Sequence, residues 1–444
     1  MGDQPLRIGL LGFGTVGSGV AQILSEGAAN IAARVGTSLV VTRAAVTTLD
    51  RDRGPVAEGI DLSTDPMSVV EADDVDVVVE VMGGREPASA LLRRALELGK
   101  PVVTANKELV AHEGPELYQL AADKGIDFMY EAAVAGAIPI IRPLKQSLAG
   151  DRVRRVVGIL NGTTNYILTR MSEEGAAYAD VLADAQRLGY AEADPTADVG
   201  GHDAASKAAI LASLAFDTSV RSDDVHREGI ESITARDIEI GSRLGYVVKL
   251  LGIASDNDGQ LGVRVHPTFL PRTHALAAIR DSFNAIWVQA DAAGELLFSG
   301  RGAGSLPTGS AVVGDIIDVA RNLRQTARGP VETGHREIPI QPIEDLQTQY
   351  YVRLDVVDEP GVLAQVATTF GWHGVSISQV LQELRDDAPE QATKGSVVGG
   401  SAELVIVTHR AREGDLRACV EELQMADKVH EVSAVIRVES EVFA

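Results

Sequence analysis

Between Glu192 and Lys207 the chain gathers four carboxylates, Glu192, Asp194, Asp198 and Asp203, and one lysine, and then enters the apolar run "AAILASLAF". Asp203 and Lys207 are four residues apart, so a helix sets them on one face with the acid first, the better order for an ion pair. The plain alternative is an exposed salt bridge worth only about 0.3–0.5 kcal/mol. The same face, however, continues through Ile210, Leu211 and Leu214. The pair therefore heads an apolar stripe and is expected to point inward, where charge is tolerated only with partners. Two glycines in "DVGGHD" let the backbone approach a ligand just before that helix. Proton movement coupled to hydride transfer fits these residues. An alcohol being oxidised must lose its hydroxyl proton, a carbonyl being reduced must gain one, and a desolvated lysine does either. Glu192, Asp198 and Asp203 are then free to hold an ammonium group and to position the lysine, which points to an amino-acid substrate. Asp194, followed by Pro195, reads as a turn-setting residue.

Hydride chemistry needs a carrier. In "GLLGFGTVGSGV", Gly12, Gly14 and Gly17 have G-x-G-x-x-G spacing directly after the apolar strand Ile8–Leu11 and at the opening of a helix. That placement permits a tight turn, close backbone approach to a pyrophosphate and anion attraction at a helix N-terminus. After the second strand, "TTLDRDRG" offers Asp50 or Asp52 for a ribose 2′-hydroxyl and Arg51 or Arg53 for a 2′-phosphate. NAD and NADP both stay open, with the paired arginines favouring NADP. "PVVTANKELV" ends a strand at Thr104 and Ala105 and starts a helix with Asn106 and Lys107. A lysine in a first helical turn opposes the helix dipole. It is expected to aim into the crevice at the carboxyl ends of the strands, where ligands of open parallel sheets sit; the alternative is a solvated surface lysine.

Composition narrows the class. A chain of 444 residues is long enough for two or three domains. No apolar run reaches the roughly 18 residues of a membrane span, and the N-terminal "MGDQPLRIGLLGFG" has no signal-type pattern, so a cytoplasmic protein is expected. A net charge of −23 disfavours nucleic acid and anionic membranes as partners and leaves a small molecule. The lone Cys419 excludes a disulfide framework and a cysteine-based zinc cluster.

The elements that must position these residues follow from the pattern. The first part alternates "LRIGLLG", a helix from about Thr15 to Arg34, "LVVTRAAVT", "VDVVVEVMG", "LLRRALELGK", "PVVTANK" and "IDFMYEAAV", which predicts an α/β domain with a Rossmann-type parallel sheet over residues 1–135. Residues 136–325 mix strands ("VRRVVGIL", "LGVRVHPTFL", "AIWVQA") with helices around 180–188, 204–216 and 314–324. This reads as an α+β substrate and dimerisation domain, with a return segment near 300–325 toward the cofactor domain. Residues 326–348, proline-bearing and without period, read as a linker. Residues 349–444 give strand, helix, strand, strand, helix, strand, the order of a ferredoxin-like βαββαβ unit, with a mobile loop expected around Lys394.

Taken together, "AQRLGYAEADPTADVGGHDAASK", "GFGTVG", "TANK", "YEAAVAGAIPII", "GILNGTTNYIL" and "GRGAGSLPTGSAVVGDI" resemble homoserine dehydrogenases along most of the chain, and "DEPGVLAQVA" resembles the first loop and helix of an ACT regulatory domain. The resemblance implies that Lys207 is the general acid/base and Lys107 a second active-site lysine contacting cofactor and substrate oxygen. It places Glu192, Asp198 and Asp203 around the substrate's amino group, with Tyr190 and Thr163 lining the site. It implies a monovalent-cation site, usually sodium, at Glu131, Val134, Gly136 and Ile138, made largely of backbone carbonyls. Phe13, Thr15 and Val16 join the three glycines in the cofactor loop, with Thr104 and with Gly302 or Gly304. The implied reaction interconverts L-homoserine and L-aspartate 4-semialdehyde with NAD(P), on the route to threonine, methionine and isoleucine, in a homodimer or homotetramer. Threonine is the implied effector, bound near Asp358 to Gly361; the alternative is an ACT domain used only for oligomerisation. Ser376 stands where such domains often carry asparagine.

Two other classes compete. Phosphorylating aspartate-semialdehyde dehydrogenases need a cysteine nucleophile, and Cys419 lies far in sequence from the glycine loop and the acidic cluster. A non-catalytic, dinucleotide-sensing amino-acid regulator would give no reason for Asp203 and Lys207 to share an inward face.

Overall fold

Six short runs, most of them apolar, become the strands of a parallel sheet: β1 (Leu6–Leu11), β2 (Leu39–Ala45), β3 (Asp61–Ser63), β4 (Val77–Glu80), β5 (Val102–Thr104) and β6 (Phe128–Met129). This computed structural model of the chain describes residues 4–257, 259–330, 336–384 and 400–439. The strand order is β3-β2-β1-β4-β5-β6, all parallel, so the direction of winding reverses between β1 and β4. That reversal opens the crevice in which dinucleotides bind. Val77, Val78 and Val79 are fully buried because helices cover both faces, which is why β4 reads as a continuous apolar run.

The helix expected from Thr15 to Arg34 is two helices, Thr15–Glu26 and Ala28–Val35, broken at Gly27, a poor helix former that turns the chain. The return helix begins at Ser305 and ends at Gln325. Its Val312, Val313, Ile316 and Val319 share one apolar cluster with Val20 and Leu24 of the first helix and with Ile8 and Leu10 of β1. Gly19 lets the two helices touch, since a Cβ there would lie 2.5 Å from the Ser305 carbonyl oxygen.

The middle of the chain builds a mainly antiparallel sheet from Val153–Ile159, Tyr246–Asn257, Gln260–Pro271, Phe283–Ala290 and Gly294–Arg301. Tyr246–Asn257 escapes sequence reading because it is buried on both faces and shows no alternation. Gly294–Arg301 is an edge strand whose alternation is weak in sequence. The helix His202–Phe216 lies between this sheet and the helix Lys107–Lys124 of the nucleotide domain.

The C-terminal unit runs Gln347–Val357, helix Val362–Trp372, Ile377–Leu384, Ser401–Thr408, helix Glu413–Gln424, Val429–Val438. Its four long strands are antiparallel in the order fourth, first, third, second, a ferredoxin-like arrangement. Its last strand also pairs in parallel with Gln260–Pro271, Thr268 beside Arg437 and Phe269 beside Val438, so the two sheets are continuous. Residues 336–346 run along the middle sheet, with Leu261 N–H donating to Pro339 O and Gln341 N–H to Leu261 O, both at 2.9 Å. The loop around Lys394 lies outside the described residues. Among the described residues no helix is long and apolar enough to cross a membrane.

Candidate active site

Asp203 sits at the centre of the cluster. Its Oδ2 accepts from Lys207 Nζ at 2.7 Å and from Asn161 Nδ2 at 2.9 Å, and its Oδ1 lies 2.6 Å from Lys107 Nζ. One carboxylate therefore ties a lysine of the nucleotide domain to a lysine of the middle domain. The inward face read from helical spacing is real: Asp203 and Lys207 are 7% and 9% exposed. The helix is in fact buried on nearly all sides from Asp203 to Ala212, because it is clamped between two domains rather than laid on one. Burial works against ionisation of Asp203, but the two ammonium groups, Lys207 foremost, outweigh it and hold its carboxyl well below the usual range. Burial likewise opposes the charge of Lys107, and the Asp203 carboxylate overrides it, raising the lysine above its ordinary value. Lys207 Nζ also donates to Leu160 O at 2.8 Å. An ammonium has three donors; two are used, and one direction is left for a ligand.

Asn161 is the positioning residue that sequence reading missed. Its Oδ1 caps the helix Gly162–Glu174 by accepting from Thr164 N–H at 2.8 Å, while Nδ2 donates to Asp198 Oδ1 at 2.7 Å and to Asp203. The available signal was an Asn one residue before a helical run, the N-cap pattern. Glu80 was missed too. Fully buried at the end of β4, it accepts from Thr104 Oγ1 at 2.6 Å and from the Met82 and Gly83 N–H groups at 2.7 and 3.0 Å. Thr104 Oγ1 in turn accepts from Asn106 N–H at 3.0 Å, and Asn106 caps the helix that begins at Lys107. A chain of hydrogen bonds thus fixes where Lys107 enters the crevice.

The glycine loop has the shape a dinucleotide needs. Gly12 adopts φ +105°, and a Cβ on Gly17 would fall 2.2 Å from Gly12 O, whereas nothing lies within 4 Å of a Cβ on Gly14. Gly14 opens the first helix without a side-chain cap, so its leading N–H groups face that open space. Phe13 is buried in the core, Val16 half-buried and Thr15 exposed. Thr15 O accepts from Ser305 Oγ at 2.7 Å, which joins the return helix to the loop. Gly302 packs on the Asn284 side chain, and Asn284 Nδ2 donates to the Leu160 carbonyl that Lys207 also uses. Gly304 caps the return helix at φ +129°. In the loop after β2, Arg53 is turned back on the carbonyls of Thr48, Leu49 and Arg51, and Asp52 accepts from Gly54 N–H at 2.9 Å; Asp50 and Arg51 are exposed.

The remaining candidates divide. Glu131, Val134, Gly136 and Ile138 are brought together in a buried turn in which Ala135 and Gly136 are consecutive left-handed residues. The Glu131 carboxylate accepts from the N–H groups of Ile140, Ile141 and Arg142 at 2.7–2.9 Å. The turn abuts the segment that leads into the return helix, since a Cβ on Gly136 would meet Gly302 O at 2.4 Å. Thr163 Oγ1 donates to Tyr190 O at 2.7 Å, and the Tyr190 ring stacks on Tyr166 at 4.6 Å. Glu192 is exposed, and its backbone carbonyl, not its carboxylate, takes the Gln186 amide at 3.1 Å. Asp194 accepts from Thr196 N–H and Oγ1 at 3.1 and 2.6 Å, a turn contact. Asp358 and Gly361 flank the turn before the helix Val362–Trp372, far along the chain from the lysines, with Asp358 N–H donating to Gly400 O at 2.7 Å and Gly361 left-handed at φ +94°. Ser376 O accepts from His409 N–H at 2.8 Å. Cys419 is buried in the C-terminal core, where burial pushes its thiol up to about 12; it stands in no contact with the cluster.

Comparison with known proteins agrees with this geometry. Residues 12–131 match the homoserine dehydrogenase NAD-binding domain and residues 139–317 match the homoserine dehydrogenase domain. The chain is 48% identical to a homoserine dehydrogenase of Corynebacterium glutamicum over 437 residues, 97% of this chain and 95% of that protein. A crystal structure of a homoserine dehydrogenase from Thiobacillus denitrificans superposes with a TM-score of 0.92 at 40% identity, covering 99% of both chains. A hyperthermophilic archaeal homoserine dehydrogenase in complex with NADPH superposes with a TM-score of 0.60 at 29% identity, over 71% of this chain and 98% of that one. With a parallel-sheet nucleotide domain, two lysines meeting on one buried carboxylate and near full-length similarity, the chain belongs to the homoserine dehydrogenase family, NAD(P)-dependent oxidoreductases acting on a CH–OH group.

Proposed function

We propose that the chain interconverts L-homoserine and L-aspartate 4-semialdehyde, with Lys207 moving the proton. The observation that carries this reading is the shared carboxylate: Asp203 fixes Lys207 and Lys107 side by side, each within 2.7 Å, and leaves Lys207 one donor direction free. In its neutral form Lys207 takes the hydroxyl proton as the alcohol is oxidised; as an ammonium it returns that proton to the carbonyl oxygen on reduction. Lys107 supports the same oxygen and lies toward the cofactor. Because Asp203 is occupied by the lysines, the substrate's ammonium falls to Asp198 and Glu192, with Tyr190 and Thr163 closing that side. A bound NAD(P) would supply the hydride chemistry. Gly12, Gly14 and Gly17 with the N–H groups from Thr15 and Val16 would hold its pyrophosphate, and Phe13 packs the loop from beneath. Thr104, Gly302 and Gly304 border the same crevice. Exposed Arg51 favours a 2′-phosphate, hence NADP over NAD.

The backbone carbonyls of Glu131, Val134, Gly136 and Ile138 offer a hard-oxygen set suited to a monovalent cation such as sodium; the Glu131 carboxylate is already committed to three N–H groups. Threonine acts as effector at the 358–361 turn, a reading supported by the ferredoxin-like sheet order and the left-handed Gly361. The protein works in the cytoplasm, in threonine, methionine and isoleucine biosynthesis, as a homodimer or homotetramer. Exposed Trp372 and Met425, 76% and 80% accessible, are consistent with assembly through the C-terminal unit.

Homoserine-dependent reduction of NADP and of NAD by the purified protein, followed by absorbance, is the direct test. Absence of reduction with either cofactor overturns the reading, and a threonine titration that moves neither rate nor melting temperature removes the effector.

A further inference from the structure

A second buried cationic site lies between the middle sheet and the C-terminal unit. Gln289, Arg155 and Ser255 stand directly opposite one another on adjacent strands, with Gly262 opposite Ser255 on the next. Arg264, two residues on from Gly262, shares that face by the two-residue period of a strand. The start of Gln347–Val357 and the end of the last strand border, with it, a half-open cavity of about 510 Å³, with Arg155, Arg264, Arg410, Ser255, Asn257 and Gln289 among its walls.

Among the described residues three carboxylates line the cavity, but Asp256 is held by Arg152 and Asp345 by Arg412, each at 2.5 Å. Of these three, Glu439 faces the arginines of the sheet, at 2.6 Å from Arg155 and 3.7 Å from Arg264. Arg264 is 5% exposed, and its Nε and Nη1, together with Arg155 Nε, are buried without an acceptor among the described residues. A guanidinium stays protonated, and each buried donor left without an acceptor is costly. Buried guanidinium donors without an acceptor among the described residues, in a chain of net charge −23, mark a place where one is to be supplied from outside. We propose that this cavity binds a small oxyanion, a metabolite presenting a carboxylate or a phosphate to Arg264 and Arg155. The site differs from the 358–361 turn, which lies at the other end of an 11-residue strand, roughly 30 Å away at about 3.3 Å per residue. It adjoins the seam between the sheets, two residues from Arg437, so an occupant ties the C-terminal unit to the middle sheet.

Calorimetric titration of the full chain saturated with NADPH, with inorganic phosphate and separately with malonate, tests the proposal. One anion or both are expected to bind at one site per chain with Kd below about 1 mM and to raise the melting temperature. Phosphate alone assigns a phosphate ester as ligand class; malonate alone assigns a carboxylate. Arg264→Gln weakens binding at least about tenfold. Gln289→Glu, nearly isosteric and opposite Arg155, supplies the missing acceptor from the protein itself. It abolishes binding and raises the melting temperature, and it keeps the test sharp should the Arg264 variant fail to fold. Binding of neither anion, or binding that survives Gln289→Glu, overturns the proposal.

Discussion

Two buried ionic clusters stand at the ends of the middle domain, and they are built in opposite senses. At one, the Asp203 carboxylate lies between two lysines; at the other, the Arg437 guanidinium lies between the carboxylates of Glu228 and Glu413. Burial is similar, 9% exposed for Lys207 and 6% for Arg437. The difference is the number of partners. Arg437 makes four hydrogen bonds at 2.7–2.9 Å, two to each carboxylate, and Glu413 is further held by Tyr350 Oη at 2.9 Å. Lys207 makes two, to Asp203 and Leu160 O. The arginine cluster fastens the C-terminal unit to the loop before Ile230, whose N–H donates to Val199 O at 2.9 Å beside the lysine helix. The lysine cluster, with fewer partners, leaves a donor for a ligand, which in the proposed reaction is the substrate. The number of partners, more than burial or charge alone, separates the two clusters.

That contrast breaks if the wrong cluster carries turnover. Lys207→Ala is expected to lower kcat at least about 100-fold with circular dichroism unchanged; near-normal turnover removes the lysine from proton transfer. Arg437→Ala strands Glu228 and Glu413 and is expected to cost about 3–5 kcal/mol of stability, read as a fall in the denaturant midpoint. Turnover of whatever remains folded should change little, and an unchanged midpoint would make the clasp ornamental. Acid tests the electrostatics of the lysine cluster. The Asp203 carboxyl is held below its unfolded value, so it contributes stability above about pH 4 that is lost as pH falls below that point. Asp203→Asn should flatten this acid limb of the melting curve; an unaltered limb denies the ion pairs that role. Away from both clusters, Arg51→Ala is expected to lower the preference for NADPH over NADH about tenfold in kcat/KM, the effect of one charge-assisted contact. The smallest change is expected from Thr163→Val, which frees Tyr190 O; a rise of a few-fold in KM for homoserine, about 1 kcal/mol, with kcat steady is the result to look for.

Much of the architecture is legible in the sequence because its local signals agree. The strand before Gly12, the Asn106 cap ahead of Lys107 and the strand–helix order of the C-terminal unit are all local patterns. Tyr246–Asn257 is not legible, since burial on both faces erases the alternation that marks a strand. Glu80 and Asn161 escape for a different reason: each acts through partners distant in the chain, Thr104 in one case and Asp198 and Asp203 in the other. The parallel pairing of Arg437 with Thr268, which merges two sheets, likewise joins segments with no shared sequence signal.

The sequence by itself determined that Asp203 and Lys207 share a helical face, that a glycine turn follows the first strand, and that Cys419 is the lone thiol. Each of these is set by spacing or inventory, and helix geometry does the rest. Only the tertiary structure decided that Lys107 reaches the same carboxylate from another domain, that Lys207 makes two hydrogen bonds while Arg437 makes four to two carboxylates, and that Arg264 is buried with donors to spare. Those facts depend on which segments pack together, and packing sums many weak contacts across the whole chain, which no local window of residues contains.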